Sequence, residues 1–174
     1  MAISTSTPDP AASGPEPRHE TLDTIKAQTT AIDELIGLAK QSIRVFDVDL
    51  SETGWNGVAR SESLAAFLRR SRQARLEIIV HDTRWIEGSC PRLMALLKTF
   101  SHAITVYKTG AEAKGAMDPL VIVDGRHFLH RFHMEQTRAA LGIDDPHAAR
   151  PLVNRFEEIW ATGEPGVTGT VLGL

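Results

Sequence analysis

Apolar positions change their spacing from one segment of this chain to the next, and the spacing separates helices from strands. Apolar residues that recur three and four positions apart predict amphipathic helices. Short runs rich in β-branched and aromatic residues predict strands. The helical pattern occurs at 22–41, around 64–68, around 93–100 and from 145 to about 160. The strand pattern occurs at 42–50, 76–81, 103–107, 120–123 and 127–133, with a further edge strand near 138–143.

Polar residues, glycine and proline mark where these elements begin and end. Ser61 or Ser63 is expected to cap the second helix, and Pro91 is expected in the first turn of the third. Asp124-Gly125 lies between two apolar runs. This dipeptide predicts a hairpin turn, because both of its residues must adopt a positive φ there.

Helices and strands alternate in the first half of the chain, and strands follow one another in the second half. Alternation predicts parallel strands joined by crossover helices, whereas a hairpin adds antiparallel pairs. We therefore predict an α/β fold in which a mixed, mostly parallel sheet carries helices on both faces. The domain is predicted to span 21–163, between a proline-rich, disordered N-terminal tail, 1–20, and a loose C-terminal tail, 164–174.

Composition limits the partners and the compartment more than the chemistry. The chain has 174 residues, enough for one domain, and a net charge of -3, which provides no overall attraction to nucleic acid or to an anionic membrane. No apolar run is long enough to span a bilayer, and the N-terminus does not resemble a signal peptide. A single cysteine excludes an internal disulfide and suits a reducing compartment. We therefore expect a cytoplasmic protein that does not contact a membrane.

Two segments carry a resemblance to a known family. The segment Met117–Asp124 reads Met-Asp-Pro-Leu-Val-Ile-Val-Asp, and the closing helix contains Asn-Arg-Phe-Glu-Glu-Ile-Trp at 154–160. In this register the chain resembles a phospholipase D-like repeat, whose motif is His-x-Lys-x-x-x-x-Asp. It is also similar to uncharacterised bacterial phospholipase D-like domains through Asp-Val-Asp-Leu at 47–50. The resemblance covers about residues 22–162 and implies the fold of a single repeat.

The motif departs from the family at the two positions that carry its chemistry. In the superfamily the histidine attacks phosphorus and the lysine balances the charge of the phosphate. Here Met117 occupies the histidine position and Pro119 the lysine position, so neither a nucleophile nor a cation is present. Only Asp124 matches, and aspartate is also a preferred residue of an Asp-Gly turn. The degenerate motif therefore predicts no catalysis.

The leading hypothesis is a non-catalytic phospholipase D-like module that works through binding. Active members of the superfamily need two copies of the motif, supplied by tandem repeats or by a homodimer. This chain carries one degenerate copy, so the resemblance implies that it keeps the homodimer and has lost the chemistry. A different protein is the other expected partner.

A second candidate site follows the first two strands. Asp47 and Asp49 lie two residues apart, so they share a face near the end of the first strand, where parallel α/β sheets bind ligands. His81, Asp82 and Arg84 follow the next strand. One interpretation is a metal-assisted phosphoester hydrolase that uses the first two aspartates and the histidine. The other is that these polar residues leave the core and cap the loops.

Two further clusters have simpler explanations. Arg69, Arg70, Arg72 and Arg75 form an anion patch that a nucleic-acid binder could use, but cations near a helix C-terminus are already favoured by its dipole. Nucleic acid is therefore the weaker alternative. The pattern His-x-x-His-x-x-His at 127–133 lies on a predicted strand. Alternation turns the middle histidine to the other face, so the three do not form a zinc site. No metal or other cofactor is predicted.

Overall fold

The computed structural model describes residues 14–169 of the chain. Within that range the structure has eight strands and five α-helices, and a short 3-10 helix at Ala111–Ala113. The order is β1 (Arg18–Leu22), α1 (Ile25–Leu38), β2 (Ser42–Asp47), α2 (Val58–Arg70), β3 (Arg75–Val80), α3 (Arg84–Ser89), α4 (Pro91–Thr99), β4 (Ile104–Lys108), β5 (Leu120–Val123), β6 (His127–Arg131), β7 (Ala139–Ile143), α5 (Pro146–Ala161) and β8 (Glu164–Val167).

All the strands form one sheet in the order β1-β7-β6-β5-β2-β3-β4-β8. The pairs β2–β3 and β3–β4 are parallel, because α2 and then α3 with α4 return the chain to the same end of the sheet. The other pairs are antiparallel. The predicted α/β fold with a mixed sheet is confirmed. The sheet is mostly antiparallel rather than mostly parallel as predicted, because β5, β6 and β7 follow one another without crossover helices and because β1 and β8 add antiparallel strands at the two edges.

Each face of the sheet carries its own hydrophobic core. Helices α1, α2 and α4 pack on one face, against alternate strand residues such as Ile43 and Val45. Helix α5 packs on the other face, against Phe46 and Ile79 among others. The two-residue periodicity of a strand therefore sends neighbouring side chains of β2 into different cores. The prediction of helices on both faces is confirmed.

The outermost strands lie in segments where the sequence predicts tails. Strand β1 pairs with β7 from Arg18 onward, so residues 18–20 belong to the sheet rather than to a disordered tail. It also covers β7, which is therefore not the edge strand that was predicted. Strand β8 pairs with β4 and begins at Glu164, inside the predicted loose C-terminal tail. The rest of both predicted tails, 1–13 and 170–174, lies outside the described residues.

Side-chain caps explain where two of the five α-helices begin. Thr24 accepts a hydrogen bond from the backbone amide of Ala27 and begins α1, and Asp145 does the same for Ala148 at α5. Helix α2 begins at Val58 after Gly57, so the predicted caps Ser61 and Ser63 are wrong: both serines lie inside the helix. Helix α3 was not predicted, since six residues are too few to show a period.

Candidate functional site

The segment Met117–Asp124, compared above with the phospholipase D motif, lies along β5 and the residues that precede it. The carbonyl of Met117 accepts a hydrogen bond from the amide of Met134 at 2.7 Å, and its side chain is 38% exposed. The carbonyl of Pro119 accepts from the amide of Arg131 at 3.0 Å. The side chains at these two positions are a thioether and a pyrrolidine ring, which offer neither a phosphorus nucleophile nor a cation.

Asp124 lies at the opposite end of the same strand. It has φ 53° and Gly125 has φ 65°, as a tight hairpin requires of both residues. Its carboxylate accepts hydrogen bonds from three consecutive backbone amides, those of Lys40, Gln41 and Ser42, at 2.9, 2.8 and 2.9 Å. The aspartate therefore holds the segment that leads into β2, a contact that the local Asp-Gly signal does not reveal.

A cavity of about 20 Å³ lies beside Pro119, where β2 ends. Its lining includes Gln28, Asp47, Trp55 and Arg131. A cavity needs roughly 10–15 Å³ on this measure to hold one water molecule. A phosphodiester group is much larger than one water molecule, so it does not fit in the cavity with these side-chain positions.

Asp47 lines this cavity, and the pKa of its carboxyl is far from that of an ordinary aspartate. Burial raises the pKa of the Asp47 carboxyl to about 7. The neighbouring carboxylates of Asp49 and Glu52 also raise it, whereas the amide of Val48 and the charge of Arg131 work in the other direction. A carboxyl group that titrates near neutrality can take up or release a proton under ordinary conditions, which is the property of a general acid or base.

Two buried arginines hold the loop that follows β2. Arg131 is 6% exposed; it donates to the carbonyls of Met134 and Gln136 and pairs with the carboxylate of Glu52. Arg60 is 2% exposed and donates to the carbonyl of Thr53 and to Asp33. The guanidinium of Arg60 also lies 5.0 Å from the ring centre of Trp55.

Sequence reasoning missed both of these arginines. Arg131 ends an apolar strand, and Arg60 lies in an amphipathic helix. A charged residue at such a position ordinarily indicates solvent exposure.

The five residues of the second candidate site do not form one cluster. Asp49 accepts hydrogen bonds from the amide and hydroxyl of Ser51. The Nε2 of His81 lies 2.7 Å from the carbonyl of Ala116, so Nε2 carries the proton and Nδ1 accepts from the hydroxyl of Thr109. Both ring nitrogens are therefore engaged inside the protein.

The sheet itself separates Asp47 from His81. Asp47 continues the face of β2 that packs against α1 and lines the cavity with Trp55. The ring of His81 lies edge-on to Phe46, 5.3 Å between ring centres, on the face that packs against α5. The two side chains thus point to opposite faces.

Asp82 and Arg84 form an exposed pair of their own. Hydrogen bonds from the Arg84 side chain and backbone lower the pKa of Asp82 to about 2. Both residues extend into solvent, so this pair does not complete a site with Asp47.

The three histidines of 127–133 also have separate partners. His127 is buried and its Nδ1 accepts from the amide of Asp144. The Nδ1 of His133 accepts from the amide of Glu135. His130 donates to Asp118, 3.0 Å away. Among residues 14–169 no three histidine, cysteine or acidic side chains converge to hold a metal ion.

Asp118 forms a three-membered group that the sequence did not predict. It accepts from His130 and, through both oxygens, from the guanidinium of Arg155 on α5. Burial alone would raise the pKa of Asp118, but the hydrogen bonds from Arg155 and His130 outweigh it and keep the pKa below the usual range. The group ties the segment before β5, and β6, to α5.

The arginines of the predicted anion patch are exposed at the end of α2 and the start of β3. Arg69 lies over the ring of Phe100, with 5.8 Å between its Cζ and the ring centre. Arg70 donates to the carbonyl of Ala39, and Arg75 donates to the carbonyls of Arg72 and Ala74. Their partners are neutral, so the positive charges are not compensated by these contacts.

The family model "Domain of unknown function (DUF7931)" matches residues 24–168, so the chain belongs to that family. No curated protein matches the chain in sequence. Among the helices that the structure describes, none is long and apolar enough to cross a membrane.

Several solved structures share the fold. TrmBL2, an archaeal chromatin protein whose structure shows a mode of DNA binding, has a TM-score of 0.63 and 14% identity over 84% of this chain and 53% of that chain. The chain therefore spans about half the length of TrmBL2. Nuc from Salmonella typhimurium, a phospholipase D family member, has a TM-score of 0.58 and 17% identity over 86% of this chain and 98% of Nuc.

NucT from Helicobacter pylori has a TM-score of 0.56 and 14% identity over 86% of this chain and 99% of NucT. At these identities the similarity shows the fold alone. The fold is phospholipase D-like, as the resemblance of the motif region predicts.

Proposed function

We propose that this member of the DUF7931 family is a degenerate, single-repeat phospholipase D-like domain that has no phosphodiesterase activity and acts by binding a second copy of itself. The observation that carries the proposal is the identity of two side chains. Met117 and Pro119 stand where the resemblance places the nucleophile and the phosphate-binding lysine. The small cavity beside Pro119, about 20 Å³, supports the same conclusion.

The surface next to the motif suits a protein contact. Met117 and Phe132 are exposed apolar side chains, 38% and 47%. The amide of Met134 donates to the carbonyl of Met117, so the loop after β6 lies against the start of the motif. We name Met117 and Phe132 the motif face. Apolar side chains of this kind, surrounded by polar groups, are typical of interaction surfaces.

A second copy is the occupant that best fits this surface. The chain corresponds to nearly all of Nuc and NucT, and the resemblance implies that active single-repeat chains pair so that two motifs meet. A dimer through the motif face retains that arrangement after the chemistry is lost. A different protein on the same surface is the alternative outcome of the test below.

The dimer is tested by sedimentation equilibrium on the full chain. We expect a dimer for the wild type and a monomer for Phe132→Glu, because a charge in an apolar contact lacks a partner. Val58→Glu is the matched control: Val58 is 54% exposed and lines a different cleft, between α2 and α4, so this variant should stay dimeric. A monomeric wild type, or a dimer that both variants leave unchanged, would overturn the proposed self-association.

The absence of catalysis is tested with phosphodiester and phosphomonoester substrates in the presence of Mg²⁺, Mn²⁺ or Zn²⁺. We expect no turnover above the buffer rate with any combination. Turnover by the wild type that Asp47→Asn abolishes would contradict the proposal.

One observation favours a second candidate, the metal-assisted phosphoester hydrolase. Asp47 has a pKa near 7, which suits acid–base chemistry. The arrangement offers it no histidine partner, because His81 is hydrogen-bonded on the opposite face of the sheet. The substrate panel with Asp47→Asn distinguishes this candidate from the binding domain.

A further inference from the structure

We propose that the end of the sheet opposite the motif face binds the phosphate backbone of double-stranded nucleic acid. The surface consists of five exposed cations, Lys40, Arg70, Arg72, Arg75 and Arg126, which we name the basic edge. This proposal does not rest on the self-association proposed above, because it uses different residues at the other end of the strands.

Backbone contacts bring these cations to one place. The amide of Arg75 donates to the carbonyl of Gln41, and Arg70 donates from its side chain to the carbonyl of Ala39, next to Lys40. The amide of Asp124 donates to the carbonyl of Ser42, which places the turn that carries Arg126 beside the start of β2. Cations distant in sequence therefore lie at the same end of the sheet.

Most of this charge has no acidic partner. Within residues 14–169, no carboxylate lies within 4.0 Å of the charged nitrogens of Lys40, Arg70, Arg72 or Arg75. Only Arg126 has one, Asp144 at 3.4 Å. Asp124 also lies at this end of the sheet, but both of its carboxylate oxygens accept hydrogen bonds from backbone amides.

The surface also has room for a ligand. An open cleft of about 530 Å³ is lined by the cations Lys40, Arg70 and Arg126 and by two carboxylates, Asp124, which is bound to backbone amides, and Asp144, which lies 3.4 Å from Arg126. Arginine guanidinium groups bind phosphate through two parallel hydrogen bonds, which makes them the preferred residues for phosphate recognition. No phenylalanine, tyrosine or tryptophan of the described chain lines the cleft, so it offers no platform on which unpaired bases could stack.

The spacing fits a duplex. The basic edge crosses from β6 through β5 and β2 to β3, three strand spacings of about 4.8 Å, or roughly 14 Å in total. One strand of a duplex advances about 3.4 Å along the helix axis per phosphate, so the edge is about as long as the axial rise of four phosphates.

The net charge of the sequence argues against nucleic-acid binding, whereas the basic edge favours it. The value of -3 averages over the whole chain and predicts no attraction to nucleic acid. The fold separates the charges, so a cationic surface exists on an acidic protein. Association driven by such a surface depends on local potential more than on net charge.

The test is the binding of a fluorescent DNA duplex to the full chain, measured by anisotropy at several salt concentrations. Each neutralised phosphate contributes about -0.9 to the slope of log K against log salt, so four unpaired cations predict a slope of roughly -3 to -4. Lys40→Ala/Arg72→Ala should bind more weakly and reduce the slope by about two contacts. Neither side chain makes a hydrogen bond within residues 14–169, and thermal melting verifies that the variant is folded.

The matched control removes the same charge elsewhere. Arg18→Ala/Arg138→Ala replaces two exposed arginines that pair with acids on and after β1, and it should bind like the wild type. Phe132→Glu should also bind normally, which separates this result from that of the self-association.

Four outcomes would overturn the proposal. They are no duplex binding at low salt, equal loss in the Lys40/Arg72 variant and in the control, tighter binding of single strands than of duplex, and binding of anionic phospholipid vesicles alone.

Discussion

At the end of the sheet where β2 and β3 finish, arginines pair with carboxylates, whereas at the end where these strands begin, most of the cations of the basic edge have no carboxylate partner among the described residues. Arg131 and Arg155 represent the first arrangement, each bound to a carboxylate. Arg72 and Lys40 represent the second, because no carboxylate of the described residues lies within 4.0 Å of their charged nitrogens. Charges that are paired with each other contribute to the fold, whereas charges without a partner can bind a ligand.

The segment Met117–Asp124 runs from the first of these ends to the second, and its residues have different roles at the two ends. Met117 and Pro119 lie at the first end, and Asp124 at the second. The aspartate binds three amides of the segment before β2, so it has a structural role that does not depend on phosphate chemistry. Asp124 would therefore be retained for the fold whether or not the residues at 117 and 119 take part in chemistry.

The largest expected effect comes from removing that aspartate. Asp124→Ala leaves the amides of Lys40, Gln41 and Ser42 without their acceptor, so we expect the free energy of unfolding to fall by about 3 kcal/mol. Urea denaturation measures it. Asp124→Asn retains one acceptor oxygen and should lose less. Equal stability of Asp124→Ala and wild type would show that the motif aspartate has no structural role.

The corresponding change at the first end is Arg131→Met. Methionine preserves most of the buried volume but leaves the carbonyls of Met134 and Gln136 without a donor, so we expect a loss of about 2 kcal/mol. Glu52 is 56% exposed and can be solvated again, which limits the loss. Arg72→Met, at the basic edge, is the control and should leave urea denaturation unchanged.

A pH-dependent effect follows from Asp47. Its pKa in the folded protein, about 7, lies above that of an ordinary aspartate, so the folded state holds a proton that the unfolded chain has lost. Stability should therefore fall as pH rises from about 4 to about 7, by roughly 1 to 3 kcal/mol. In Asp47→Asn this part of the pH dependence should be absent. Urea denaturation at pH 5 and pH 8 tests it, and identical pH profiles for the two proteins would be the contrary result.

The smallest effect is expected for the exposed pair at the same end. Asp82→Asn removes the partner of Arg84, but both side chains are accessible to solvent and salt. We expect no measurable change in melting temperature at neutral pH. A clear decrease in melting temperature would mean that this pair stabilises the fold, as the ion pairs of Arg131 and Arg155 do.

Much of the fold could be predicted because its signals are local. Strand β5 matches its predicted bounds, 120–123, since a short run of β-branched residues between turn signals has few alternatives. Helix α5 begins after Asp145, as an aspartate followed by proline indicates. Strand β1 could not be predicted, because four of its five residues are exposed and only its pairing with β7 makes it a strand.

The candidate site was harder to predict because it depends on register. Asp47 pairs with Val80, so His81 lies one residue further along β3 and points to the opposite face. A shift of one residue would have placed the two side chains on the same face. Spacing within each strand does not determine this offset. The contacts of Asp124 are equally non-local, since they join residues 82 to 84 positions apart.

The outermost strands limit how copies of this protein can assemble. At one border, β1 presents Arg18, His19 and Glu20, and charged residues on an exposed border oppose pairing with another chain. At the other, β8 contains Pro165, which has no amide hydrogen to donate, and its pairing with β4 is irregular. Neither border is a good template for strand addition. Both borders therefore oppose the joining of copies into an extended sheet, and the dimer proposed above uses the motif face, at one end of the strands, instead.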